Sequence, residues 1–448
     1  MYQMNSSASG PRWQLLLSHI MPIDEELPSY ASALARRTEH KSSLETKGKP
    51  WLSVFTQSRA GTAAARAFFV EGDTVVGRVE LNLEKDEALK SISVSVQASV
   101  TTLGQQELPV VFLDLTRVLW NEPSGKLAKG KYSWPFSFAL PHQVNFPANG
   151  ITVPPEVKTD GKFITVDAPP SFSEHGTPSY IDYKMVVTVK RGTFVAKANQ
   201  TLTTLISYLP LRQPEPPSPL RQLAYEEASE LIGPDGDSAG WRVLEPVKFK
   251  GKLFQAVDVE VECTLAIATP LAFATGSHIP LILTLKSKNE PALDTLATAQ
   301  AIKLYLVRSI AVGSDAMQDG VERRSNQSFV SGAGQAYFWP STEGGSEPGR
   351  RVMRGEVEVK KQTKPSFVFP RFTVRYTLEL LPFATSGFIS LGTEPLISKP
   401  VKITTRNIPG ITPRSYRPPG YVKPQDTDYN MEVGSSANGA QRILVGFI

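Results

Sequence analysis

The chain has 448 residues, of which 41% are apolar and 20% charged. This balance supports packed cores in two or three domains and excludes a wholly disordered, collagenous or coiled-coil protein. Lys and Arg (48) exceed Asp and Glu (43) for a formal net charge of +5, too thinly spread for a dedicated nucleic-acid surface but enough for weak attraction to an anionic membrane leaflet.

Residues 1–45 read as a flexible N-terminal tail without sustained periodicity. Its most apolar stretch, Trp13 to Met21, is about half of what a bilayer span needs, and no signal-peptide cleavage pattern follows it. Residues 46–210 then turn to period two. Val75, Val79, Leu81 and Leu83 form one such run, Ile92, Val94, Val96, Ala98 and Val100 a second, and Ile181, Tyr183, Met185, Val187 and Val189 a third. Successive strand residues point to opposite faces, so each run is a strand with one buried and one wet face, the mark of antiparallel sheets.

Residues 211–240 read as a proline-rich linker, with Gln213-Pro214-Glu215-Pro216-Pro217-Ser218-Pro219 and a short helical candidate around Leu220 to Leu231. Alternation returns over residues 241–406. Its clearest runs are Val257, Val259, Val261, Cys263, Leu265 and Ile267, and Phe372, Val374, Tyr376, Leu378 and Leu380, with a last strand at about Lys399 to Thr405. Gly313 to Gly349 is rich in Gly, Ser and Asp and reads as a long loop. Residues 407–448 form a second flexible tail ending in the apolar Arg442-Ile443-Leu444-Val445-Gly446-Phe447-Ile448. The economical reading is all-β: two tandem antiparallel, immunoglobulin-like β-sandwiches between two tails.

Catalytic signatures are sparse. The five histidines (His19, His40, His142, His175, His278) show no metal-ligand spacing, and the chain has no Gly-x-Ser-x-Gly elbow, phosphate loop or dinucleotide fingerprint. Glu260 and Glu262 fall on the polar face of a strand, where a solvated face explains them better than an acid/base pair. The single cysteine, Cys263, sits at an apolar position of an alternating run, which makes it a core residue rather than a nucleophile. It excludes an intrachain disulfide framework and a Cys-rich zinc site, and it points to a reducing, cytoplasmic setting. No catalytic residue, cofactor or metal is assigned, and the chain is read as a non-enzyme. A sandwich enzyme assembled from distant loops is a third alternative.

Binding signals lie in the tails. Pro418-Pro419-Gly420-Tyr421 is a Pro-Pro-x-Tyr motif. Its paired prolines are preset near polyproline II, the shape that the aromatic groove of a WW domain accepts, and Tyr421 would fill a second pocket. The alternative is a turn in which Tyr421 packs back on the second block. Leu27-Pro28-Ser29-Tyr30 is a weaker cousin in the N-terminal tail. Two such ligands would together engage a partner with two WW domains. Arg36-Arg37, Arg323-Arg324 and Arg350-Arg351 are basic pairs explained by solvated loops, or by contact with phosphorylated tails or anionic lipid.

Several segments resemble the arrestins, and most closely the fungal α-arrestin-like adaptors (arrestin-related trafficking adaptors). They are Phe69-Val70-Glu71-Gly72-Asp73-Thr74-Val75-Val76-Gly77-Arg78-Val79, the strand Ser91 to Val100, and Tyr132-Ser133-Trp134-Pro135-Phe136-Ser137-Phe138-Ala139-Leu140-Pro141. Ala168-Pro169-Pro170-Ser171-Phe172 and Tyr180-Ile181-Asp182-Tyr183-Lys184-Met185-Val186-Val187-Thr188-Val189 complete the set. The resemblance covers about residues 50–210 and is carried over 240–406 only by strand pattern. It implies an adaptor that bridges membrane transporters or receptors to a WW-domain ubiquitin ligase of the HECT type and so promotes endocytosis. In that reading Pro418, Pro419 and Tyr421 recruit the ligase, with Leu27, Pro28 and Tyr30 as a second site. The expected location is cytoplasmic, with peripheral recruitment to the plasma membrane or endosomes. The main rival is an arrestin-fold sorting scaffold of the retromer-subunit kind, acting without a ligase.

Overall fold

The computed structural model describes residues 37–102, 108–121, 126–177, 179–191, 199–319, 328–341 and 347–433. In the first block the strands are β1 (Thr38–Thr46), β2 (Lys49–Ser58), β3 (Ala67–Val70), β4 (Thr74–Leu83), β5 (Leu89–Thr102), β6 (Val110–Asn121), β7 (Gly130–Ala139), β8 (Gln143–Pro147), β9 (Phe163–Asp167), β10 (Ser179–Arg191) and β11 (Gln200–Leu209). They form a four-stranded sheet β1-β2-β4-β7, a five-stranded sheet β3-β11-β10-β5-β6 and the hairpin β8-β9. The alternating residues of β4, β5 and β10 turn their apolar sides into one core, where Val79, Val94 and Val187 are fully buried.

A helix α1 (Pro219–Glu227) leads into the second block. There follow β12 (Trp241–Val243), β13 (Val247–Leu253), β14 (Val257–Ala268), β15 (Ala272–Ala274), β16 (His278–Lys286), helix α2 (Glu290–Leu296), β17 (Leu304–Gly313), β18 (Ser328–Pro340), β19 (Arg350–Glu358), β20 (Arg371–Leu380), β21 (Ala384–Thr385), β22 (Phe388–Ser390) and β23 (Ile397–Thr404). A short helix α3 (Tyr429–Glu432) follows them. Strand β18 joins two sheets: residues from Ser328 to Gln335 pair with β17, and Ala336 to Pro340 pair with β19. This one strand links twelve into a continuous ladder.

Strands dominate and the fold is all-β, but four sequence expectations need correction. Among the described residues pairing is antiparallel except for β3 with β11 and β15 with β23, which run parallel. Both exceptions are three- or four-residue strands at sheet edges. The segment 1–45 is not tail throughout, because β1 pairs with β2 along its whole length and its His40 Nε2 bonds Ser58 Oγ at 2.8 Å. The loop expected from Gly313 to Gly349 contains β18. The segment 211–240 is more than a flexible linker: Ser218 caps α1, and Arg221, nearly fully buried, donates to the carbonyls of Thr269 (2.6 Å) and Gly240.

The two blocks share one buried core through an aromatic seam. The turn before β20 and the start of that strand present Phe367, Phe369 and Phe372 to Phe112, Phe146 and Phe172 of the first block. Phe369 meets Phe112 edge-on at 4.8 Å and Phe146 at 5.4 Å, and Phe372 meets Phe172 at 4.9 Å. Around the seam, Arg212 pairs with Glu71 and Asp167 while its backbone bonds Thr405. Arg308 of β17 pairs with Glu174 at 2.7 Å, and the Thr152 N–H donates to the Ser314 carbonyl at 3.0 Å. Edge-to-face rings bury large apolar area with favourable quadrupole alignment, so the blocks are packed together rather than strung on a linker.

The candidate partner-binding site

Residues 407–433 were expected to be part of a flexible tail; they are a strap laid over the second block. Prolines 409, 413, 418, 419 and 424 keep it extended and remove backbone donors. Two of its remaining donors close its own turns: the Ile411 N–H returns to the Ile408 carbonyl at 3.2 Å and the Tyr421 N–H to the Pro418 carbonyl at 3.1 Å. Side chains therefore fix the strap to the sheet.

The first anchor is Glu356 of β19, a carboxylate only 5% exposed. It accepts from the Ser415 hydroxyl and, at 2.9 Å, from the Tyr416 N–H. Hydrogen bonds to a charged acceptor are stronger than neutral ones, which suits a buried carboxylate that must be satisfied. The last anchor is Tyr429. Its ring lies edge-on to Tyr305 at 5.5 Å and its hydroxyl donates to the buried Glu379 at 2.8 Å. Tyr305, Val307, Leu381 and Tyr429 make a small apolar cluster of their own, joined by Val330 and Val433. Between the two anchors, Tyr337 donates to Asp426, the Thr427 N–H bonds Gln335 Oε1 at 2.8 Å, and Lys423 Nζ stands 4.3 Å from the Tyr337 ring centre.

The Pro418-Pro419-Gly420-Tyr421 motif sits between these anchors. The Tyr421 N–H to Pro418 carbonyl bond and the φ of +76° at Gly420 make it a tight turn, with Pro at the second position and Gly at the third. That is the residue choice of a type II turn, in which the third residue needs a positive φ. So Gly420 is required by the backbone, beyond merely being tolerated, and the motif is bent rather than a free extended ligand. Pro418, Pro419 and Gly420 are exposed, while Tyr421 is half-buried. Its ring meets Trp339 of β18 at 5.6 Å and its hydroxyl donates to the Phe338 carbonyl at 3.1 Å. Burial, with the Glu356 charge nearby, raises the Tyr421 pKa above the usual phenol value. Of the two readings open for Tyr421, the structure shows the packed one.

The other sequence candidates are scattered. Leu27, Pro28 and Tyr30, like Arg442–Ile448, lie outside the described residues. Cys263 is fully buried in β14, and burial pushes its thiol up to about 12. Glu260 and Glu262 lie on the outer side of the same strand opposite Lys250 and Lys248, in an open trough that Lys286 and Glu290 help to line. Such alternating charges across a strand pair neutralise one another. Among the described residues no group of three or more His, Cys, Asp or Glu side chains could hold a metal ion, and no helix is long and apolar enough to cross a membrane.

Sequence reasoning missed Tyr337, Trp339 and Glu356, the surface against which the motif rests. The available signal was Ala336-Tyr337-Phe338-Trp339, an apolar run typical of a strand inside a stretch otherwise rich in glycine and serine. No protein-family model and no curated protein matches the chain.

Proposed function

We propose that this chain is a non-enzymatic adaptor of the arrestin kind. Two tandem β-sandwiches, joined by the aromatic seam, form a rigid body that binds the cytosolic tails of membrane transporters or receptors. The Pro418–Tyr421 segment brings a WW-domain ubiquitin ligase of the HECT type to that cargo, and ubiquitination leads to endocytosis. The adaptor works by proximity: two binding events on one rigid body raise the ligase's effective concentration near cargo lysines. It acts in the cytoplasm and meets the plasma membrane or endosomes peripherally.

The observation supporting this reading is the exposure of Pro418, Pro419 and Gly420 on a turn at the protein surface, with Tyr421 next in line. A WW domain can meet the proline face there before the Tyr421 ring swings out. The test is titration of the full chain with an isolated tandem WW module, against the double variant Tyr421→Ala, Tyr30→Ala. Loss of binding in the variant supports ligase recruitment, and unchanged binding removes it.

A second reading is a sorting scaffold that uses no ligase. It is favoured by the Tyr421 hydroxyl already being bonded to the Phe338 carbonyl. In that case the double-alanine chain reaches membranes as well as the unaltered one.

A further inference from the structure

The surface beneath the motif has the parts of a receptor for it. Tyr337 and Trp339 of β18 present aromatic rings, Glu356 of β19 supplies a buried acceptor, and His278 at the start of β16 closes one side. Together with Ser415 and Tyr421 of the strap they border a cavity of about 250 Å³. A WW domain binds a Pro-Tyr ligand by offering aromatic rings to it. Here Trp339 offers one to Tyr421, and the Phe338 carbonyl takes the phenol proton donor. One ring cannot occupy both sites.

We infer that this groove is an internal receptor for the Pro418–Tyr421 segment and competes with the external WW domain, with Glu356 and Ser415 as the clasp. The inference rests on the WW-ligand reading above. Release is local. The N–H groups of Ile411, Tyr421, Met431, Glu432 and Val433 return into the strap itself, so the motif can lift without tearing a sheet ladder. The clasp lies outside the motif, so loosening it changes the closed population and leaves the ligand's chemistry intact. A ligand that binds only the open form has an apparent Kd equal to the intrinsic value divided by the open fraction. One hydrogen bond to a charged acceptor shifts such an equilibrium by roughly 10- to 100-fold.

The experiment uses the full chain and two clasp variants, Ser415→Ala and Glu356→Gln, with circular dichroism confirming the β fold of each. Two readouts are taken. One is affinity for an isolated WW domain. The other is the rate of chymotryptic cleavage between Tyr421 and Val422, which requires the Tyr421 ring to enter the protease pocket and is independent of any WW domain. The expected result is a rise of about tenfold or more in both for each folded variant. Unchanged cleavage in both variants overturns the internal receptor. Faster cleavage with no WW binding by any form keeps the closed groove and removes the ligase reading instead. Faster cleavage with unchanged WW affinity overturns the competition, because the two sites would then not share the ring.

Discussion

The aromatic seam makes a quantitative prediction through Phe369. Its side chain is fully buried and contacts Phe112 and Phe146 of the other block edge-on. Phe369→Ala removes this ring and leaves a cavity between sheets that cannot collapse far, because rings from both blocks prop it open. A buried Phe→Ala change costs about 3–5 kcal/mol, and two edge-to-face pairs account for about 0.5–1.5 kcal/mol each of that sum. Urea unfolding followed by tryptophan emission is the assay. Trp51, Trp120 and Trp134 report on the first block and Trp241 and Trp339 on the second. With an m of about 3 kcal/mol/M, the midpoint falls by about 1–2 M. The neighbouring Val368, 45% exposed, serves as control, since Val368→Ala stays within about 0.5 kcal/mol. A Phe369→Ala midpoint within roughly 0.2 M of the parent would refute a packed seam between the blocks.

Three more outcomes follow from single sites. Asp73 is buried in a bidentate pair with Arg59 at 2.6 and 2.7 Å and accepts from the Val70 N–H at 3.0 Å. Burial raises its carboxyl pKa, but the Arg59 and Val70 bonds outweigh that and the net shift is downward. Its stabilisation is therefore present above the ordinary carboxylate pKa and is lost as pH falls through the lower folded value. Asp73→Asn costs about 3 kcal/mol at pH 7, and in denaturant titrations its gap to the parent narrows below about pH 4; a gap unchanged down to pH 2 would contradict the assignment. Cys263, with its thiol at about 12, has about one part in 10⁴ as thiolate at pH 8, against about a quarter for an ordinary thiol. Ellman's reagent should label it only as fast as the chain unfolds, and rapid labelling of the native form would show the site to be open. At Gly332 of β18 an added Cβ would come within 2.8 Å of the Tyr429 Cβ. Gly332→Ala should thus speed amide exchange across Asp428–Val433 without moving the global midpoint, and unchanged exchange would mean that Tyr429 does not rest there.

The segments on which the family resemblance stands have local physical reasons. Gly72 holds a φ of +83° in the β3–β4 turn, which places Asp73 against Arg59. Gly77 lies where a Cβ would come within 2.6 Å of the Phe136 ring and 2.1 Å of the Phe55 carbonyl. In the Ala168–Phe172 segment, the Pro169 carbonyl accepts from the Tyr183 hydroxyl at 2.7 Å, and Ser171 exchanges bonds with Tyr208. These residues can be picked out of a sequence because each serves a turn or a neighbouring strand. Glu356 carries no such mark, and the apolar run that ends in Trp339 marks a strand but not the distant strap that docks on it.

The period-two runs of β4, β5, β10, β14 and β20 were enough to assign an all-β chain and the burial of Cys263, because a strand's inward face repeats every second residue whatever its partners. β1 escaped that reading because an edge strand is wetted on both sides and need not alternate; of its nine residues only His40 is buried. β18 escaped because one part of it serves each of two sheets and its Gly332 makes room for Tyr429. Whether Pro418–Tyr421 hangs free or lies folded on the second block was a tertiary matter. Its docking is written in Trp339, Glu356 and Glu379, residues far away in the chain, and no local period encodes a contact between a turn and a surface assembled elsewhere.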